Sequence, residues 1–146
     1  MTLIRYNEDG SLDAAFGENG IATLDVQLGS EDIAYDLAIQ NDGKIVVAGS
    51  SDNGPDKDAF VVRFNTDGAL DIDFGSGGIT LTDFDGGLSD EIRVIKIHAL
   101  TGNIIVGGSA IISSALAKLW SLVIFPRENW ILHSNRTEFG YCGSLV

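Results

Sequence analysis

The sequence predicts an all-β protein of tandem four-stranded antiparallel blades, about two to the chain, followed by an atypical C-terminal tail. Three observations predict it. A stretch from Arg5 to Ile21 returns at Arg63 to Ile79, runs of β-branched and aromatic residues are separated by Gly, Asp and Asn, and 18 glycines in 146 residues imply many tight turns.

About ten of the seventeen positions from Arg5 to Ile21 are identical in Arg63 to Ile79, giving a repeat of roughly 58 residues. Downstream, with one residue inserted, Asp32-Ile33 answers Glu91-Ile92, and Gly43 to Ser50 answers Gly102 to Ser109. The repeat domain therefore runs over residues 3–120, with blade-like units at about 21–65 and 79–120.

Within the first unit the expected strands are Ile21 to Asp25, Ile33 to Gln40, Lys44 to Ser50 and Ala59 to Asn65. Ile33, Tyr35, Leu37 and Ile39 alternate with smaller or polar residues, the period of a strand with one strongly buried face. Asn41-Asp42-Gly43 reads as a tight hairpin turn. In the second unit, Ile92 and Val94 point one way and Ile95 and Ile97 the other, which predicts burial on both faces. Asn7 to Gly10 and Asn65 to Gly68 have the chemistry of turns. Leu12 and Phe16, matched by Leu70 and Phe74, read as hydrophobic anchors for the connecting loop. Such units, repeated, make the expected architecture β-propeller-like.

The phrases Arg5 to Gly17, Arg63 to Gly75 and Ala38 to Gly49, with a weaker echo at Ile97 to Gly108, resemble the delta-60 repeats of bacterial surface and secreted proteins. The resemblance covers about four fifths of the chain. It implies a propeller-like array in a parent protein that is extracellular or on the cell surface, and it implies no catalytic residues.

After Gly108 the pattern weakens. Ala115 to Trp120 resembles the strand before a third Arg-Tyr-Asn phrase, with Lys118 in the place of Arg63, but the phrase itself is missing. Residues 121–146 lack aspartate and form a non-repeat tail. Three readings of it stand side by side: a cap on the last sheet edge, an unrelated segment, or out-of-frame sequence. Ile112, Leu116, Leu119 and Val123 also fit an amphipathic helix.

A formal net charge of -12 disfavours nucleic acid and anionic membranes as partners, since both would repel this surface. The single Cys142 can form no internal disulfide, so packing must hold the fold. No signal peptide is expected at Met1 to Arg5, and Ile111 to Phe125 is too short and too polar to span a bilayer, so a soluble chain is expected.

For chemistry, Asp9, Asp13, Asp71, Asp73, Asp83 and Asp85 offer oxygen ligands, but their spacing fits no calcium loop, and turn or capping roles are favoured. Phe74 to Gly78 resembles a phosphate loop only in its glycines. His98 and His133 are the only histidines. Neither Gly49-Ser50-Ser51 nor Gly108-Ser109-Ala110 forms a nucleophile elbow, and Asn135-Arg136-Thr137 is read as a chance sequon. No catalytic residue, metal ligand or cofactor is assigned.

A closed propeller needs roughly four to eight blades, so two should leave apolar faces and edges that drive assembly into a homo-oligomer. The expected function is a non-catalytic structural or binding module with an unspecified small-molecule or glycan ligand. The alternative is a small hydrolase, an esterase or glycosidase, with its site at an oligomer interface.

Overall fold

The computed structural model describes residues 1–52, 54, 56–84 and 88–111, together with the backbone of two further strands, Trp120–Ile124 and Trp130–Ser134. Among the described residues there is no helix; every element is a strand in an antiparallel sheet.

Two short strands, β1 (Thr2–Ile4) and β2 (Ile21–Thr23), pair with each other alone. A four-stranded sheet then runs β3 (Glu31–Ile39), β4 (Ile45–Asp52), β5 (Lys57–Phe64) and β6 (Ile79–Thr82) in chain order. The next sheet runs β7 (Asp90–Ile97), β8 (Ile104–Ala110), β9 (Trp120–Ile124) and β10 (Trp130–Ser134).

The sheet boundaries fall one strand later than the units 21–65 and 79–120. Ile21–Thr23 pairs back onto Thr2–Ile4, and Ile79–Thr82 closes the first full sheet by pairing with β5. The cause lies in the repeated phrase Arg5 to Gly17 and Arg63 to Gly75: it folds as a compact loop between two paired strands, so the strands on either side of it share a sheet. Bridges Tyr6 to Leu12 and Phe64 to Leu70 mark the same loop twice. The β1–β2 ribbon is thus the outer half of a sheet, repeating β5–β6 residue for residue: Leu3 pairs with Ala22 as Val61 pairs with Thr80.

The central sheet lies between its neighbours. Every residue of β4 from Ile45 to Ser51 is buried, because its two faces meet different partners. On one face Ile45 and Val47, with Phe60, Val62 and Phe64, pack against Leu3, Phe16, Ala22 and Val26. On the other, Val46, Ala48, Ala59 and Val61 pack against Ile92, Ile95, Ile104 and Val106. Valine and isoleucine suit such a strand, since β-branched side chains pack on both sides of the pleat.

The expected buried face of Ile33, Tyr35, Leu37 and Ile39 is not continuous. A β-bulge at Tyr35 reverses the alternation, and Leu37 and Ile39 are 51% and 65% exposed. Arg93 forms the matching bulge in β7, so Ile92 and Ile95 share one buried face while Val94 is exposed; a bulge, rather than burial on both faces, breaks the pattern there. Glycine sits opposite both bulges, and a Cβ at Gly49 or Gly108 would collide with the carbonyl oxygen of Ile33 or Glu91.

These matched bulges place Asp32 opposite Asp90 in the repeat, not Glu91. The inserted residue lies in the β7–β8 turn, where His98 N bonds Asn103 O across one residue more than Gln40 N to Lys44 O. In the last sheet, Ile105 faces Val123 as Val46 faces Arg63, so Val123 rather than Lys118 takes the arginine position, in a strand rather than a helix. Lys118 and the remainder of the tail outside β9 and β10 lie beyond the described residues. Of the expected anchors, Phe16 is wholly buried and Leu70 and Phe74 partly so, whereas Leu12 is 43% exposed.

Leu37 and Ile95 occupy one repeat position, yet Ile95 is 1% exposed and Leu37 51%. Ile95→Ala should cost about 2–4 kcal/mol and Leu37→Ala under about 1 kcal/mol in urea unfolding.

Candidate functional site

Three places combine polar or apolar groups in a way a site requires: the repeated loop, an acidic junction between the two full sheets, and a groove beside β1.

In the loop, an arginine is held between a carboxylate eight residues on and a ring eleven residues on. Arg5 Nε donates to Asp13 Oδ2 at 2.8 Å, and its guanidinium lies 4.6 Å from the Phe16 ring centre. Arg63 repeats this with Asp71 at 2.6 Å and Phe74 at 4.6 Å. The planar cation meets the ring face on one side and the acid at its edge, which fixes the loop against its strand. Lys44 Nζ adds a second cation to Asp71 at 2.9 Å. The Lys44 bond, against the cost of burial and with help from Arg63, holds the Asp71 carboxyl below its ordinary range. Adjacent repeats are stitched by Arg5 Nη1 to Thr66 O and Gly17 N to Asp67 O.

These bonds account for three of the six acidic residues considered as calcium ligands. Asp9 Oδ1 accepts from Ser11 N and Oγ, Asp67 caps Ala69 in the matching turn, and Asp13 and Asp71 are engaged by cations. Asp73 is exposed at a turn, while Asp85 lies outside the described residues. Among the described residues no group of His, Cys, Asp and Glu is arranged to hold a metal ion.

The acidic junction is the feature sequence reasoning missed. Asp90 opens β7 at this junction, and its repeat equivalent Asp32 is the second residue of β3, beside the β1–β2 ribbon; each Oδ2 accepts a backbone amide six residues earlier, from Val26 at 2.7 Å for Asp32 and Phe84 at 2.8 Å for Asp90. Around Asp32, Ser30 and Ser51 hydroxyls donate to Oδ1 at 2.8 and 2.7 Å. Leu88 and Ala110 stand at those positions in the second repeat. Asp90 is 0% exposed and its Oδ1 has no hydrogen-bond partner.

The two carboxyls accordingly diverge. Burial pushes Asp32 up, but the Val26 amide and the two hydroxyls outweigh it and hold the group low. Burial pushes Asp90 up to about 6; the Phe84 amide opposes this only in part, and Asp83 and Asp58 add repulsion. Asp56 nearby is also raised, by burial and then by Asp58, Asp83 and Asp52. The signal was present in the sequence as two lost serines, but the repeat alignment had set Asp32 against Glu91 and hidden it.

The groove runs between β1 and the bulged strand β3, lined by Thr2, Leu3, Ile4, Ala34, Leu37 and Val47, with a volume of about 340 Å³. A second, wider cleft borders β2 and Phe64 and carries one acidic group, Glu18. Neither gathers an acid, a base and a nucleophile. His98 is exposed on the β7–β8 turn, where its Nδ1 lies 2.9 Å from Thr101 Oγ1 and accepts Thr101 N. Ser50 is buried in β4, Ser51 serves Asp32, and Ser109 donates to Glu91. His133 lies on β10, its side chain outside the described residues, as are Cys142 and the Asn135 sequon. Among the described residues no serine side chain bonds His98, while His133 stands opposite Ser121 in the β9–β10 pairing.

Residues 2–16 and 40–74 match the model of the family described as "Domain of unknown function (DUF5122) beta-propeller". The repeats are β-propeller-like. The propeller match spans the β1 strand with its loop and the β4–β5 hairpin with the second loop, the segments that carry both arginine clamps. No curated protein and no solved structure matches the chain.

Two outcomes are expected. Asp71→Asn should cost about 3 kcal/mol by stranding Lys44 and Arg63 beside a largely buried group, whereas Asp13→Asn, in a more exposed pair, should cost under about 1 kcal/mol, measured by urea unfolding. For Asp90, the folded state holds its proton up to about pH 6 while the unfolded carboxyl loses it near 3.8. The folded state thus binds more protons in that window, and stability from this group falls as pH rises from about 4 to about 6. Asp90→Asn should therefore unfold at higher urea than the parent at pH 7.5, the advantage vanishing near pH 4; an advantage independent of pH would refute the assignment.

Proposed function

We propose that the chain is a non-catalytic structural or binding module, part of a β-propeller-type bacterial surface protein of the delta-60 repeat kind, that self-associates. Its parent works outside the cell or at its surface, and its binding partners meet blade faces or the ring they enclose. The observation that carries this reading is the one-sided exposure of apolar residues at the amino-terminal end of the array. Ile4, Tyr6, Leu37 and Ile39 are 48%, 61%, 51% and 65% exposed, where their repeat equivalents Val62, Phe64 and Ile95 are 0%, 2% and 1% exposed and Ile97 is half-buried. An apolar face of this kind is stable in water only when covered.

The charge of -12 supports a partner other than nucleic acid or an anionic membrane. Among the described residues no observation favours the hydrolase alternative: the side-chain contacts of His98 lie within its own turn, to Thr101.

Sedimentation velocity over a concentration series tests the proposal. Species of two or more chains, growing with concentration, are expected; a monomer at every concentration would overturn self-association.

A further inference from the structure

We infer that the groove between β1 and β3 is a docking site for one β-hairpin of this same repeat, with the pattern of β3–β4, which completes the β1–β2 ribbon as a four-stranded sheet. The inference rests on the reading of the chain as an incomplete array and names the surface and the occupant.

The internal repeat dictates the occupant. Each residue of β1 has an equivalent 58 positions later in β5, and β5 is bonded on one edge to β6 and on the other to β4. Among the described residues β1 is bonded to β2 alone. Arg5 N bonds Gly20 O, and the Met1 ammonium bonds Leu24 O, so odd residues of this strand face β2. The amides of Thr2 and Ile4 therefore point to the open edge, ready for a further strand. In the register of β4 with β5, the entering residues equivalent to Val47 and Gly49 would face Ile4 and Thr2.

The face of β3 makes the same demand. Ile92 and Ile95 on β7 are 4% and 1% exposed because the central sheet covers them. Their equivalents on β3, Ala34 and Leu37, are exposed and line the groove. An added hairpin would cover them as β3 and β4 cover β7.

Charge selects the hairpin further. Asp71 is engaged by Arg63 and by Lys44 from the β3–β4 turn, and its side chain is 4% exposed. Asp13 is engaged by Arg5, and its side chain is 24% exposed. The vacant place is that of a lysine arriving on a hairpin turn. The β7–β8 hairpin carries Asn103 there, so the fit favours a β3–β4 type segment.

The test restores the hairpin in the full chain by placing a copy of residues 31–58 directly before Met1, which keeps the repeat spacing and makes docking intramolecular. Backbone amide exchange at Thr2 and Ile4 is expected to slow at least about ten-fold. Leu37→Asp, tolerated in the parent, is expected to lower the urea midpoint of the extended chain by about 1 M. Exchange at Thr2 and Ile4 as fast as in the parent, or an equal effect of Leu37→Asp in both chains, would overturn the inference. Should the extended chain fail to fold, a labelled peptide of residues 31–52 added to the parent gives the same decision. Saturable binding, weakened at least about ten-fold by Leu37→Asp and unchanged by Leu100→Asp on the β7–β8 turn, supports the site. Binding that is absent, or indifferent to Leu37→Asp, refutes it. Both readouts are taken at a concentration where sedimentation finds the parent monomeric, so that self-association through the same face does not mask them and failure here is told apart from failure of the proposed function.

Discussion

The whole arrangement depends on β4 being apolar on both faces. A strand of sequence Ile-Val-Val-Ala-Gly has no side to turn toward water, so its sheet must be covered twice. The β1–β2 ribbon covers one face and β7 and β8 the other. Stacking follows from this constraint, and so does the exposure at the amino-terminal end, where β3 has the apolar residues of a covered strand without its cover. In a linear or circular array each sheet is stabilised by its neighbours, and an end is a defect to be capped or paired.

Within each unit, polar chemistry serves the same end. The arginine held between aspartate and phenylalanine closes the loop that joins β1 to β2 and β5 to β6. This explains why those residues are the most strongly repeated in the chain. They are structural, which is why the conspicuous motif carries no catalytic suggestion. Variation between copies is more informative than repetition: replacing Ser30 and Ser51 by Leu88 and Ala110 leaves Asp90 buried beside other acids with an unsatisfied oxygen.

Much of this was legible in the sequence, and for identifiable reasons. The repeat, the turns and the strand-rich composition appear directly, since glycine at positive φ in Gly10, Gly43 and Gly68 is a local requirement. Sheet membership of Ile21–Thr23 was misread because pairing is non-local, and the motif between β1 and β2 looks like a linker rather than a hairpin loop. The bulges at Tyr35 and Arg93 shift the side-chain phase by one residue, which alternation alone reads as a buried face or as burial on both faces. Exposure of Leu37 could not be read at all, because it depends on which neighbour is present and not on the residue.

The claim that one sheet is covered on both faces is tested most directly by methyl NOE spectroscopy on the central strand. The account predicts that in one molecule Val46 shows contacts to the isoleucines of β7 and β8 while Val47 shows contacts to Leu3 and Ala22 of the ribbon. Finding Val46 and Val47 with a common set of neighbours, or Val47 methyls without any contact to β1 and β2, would contradict it.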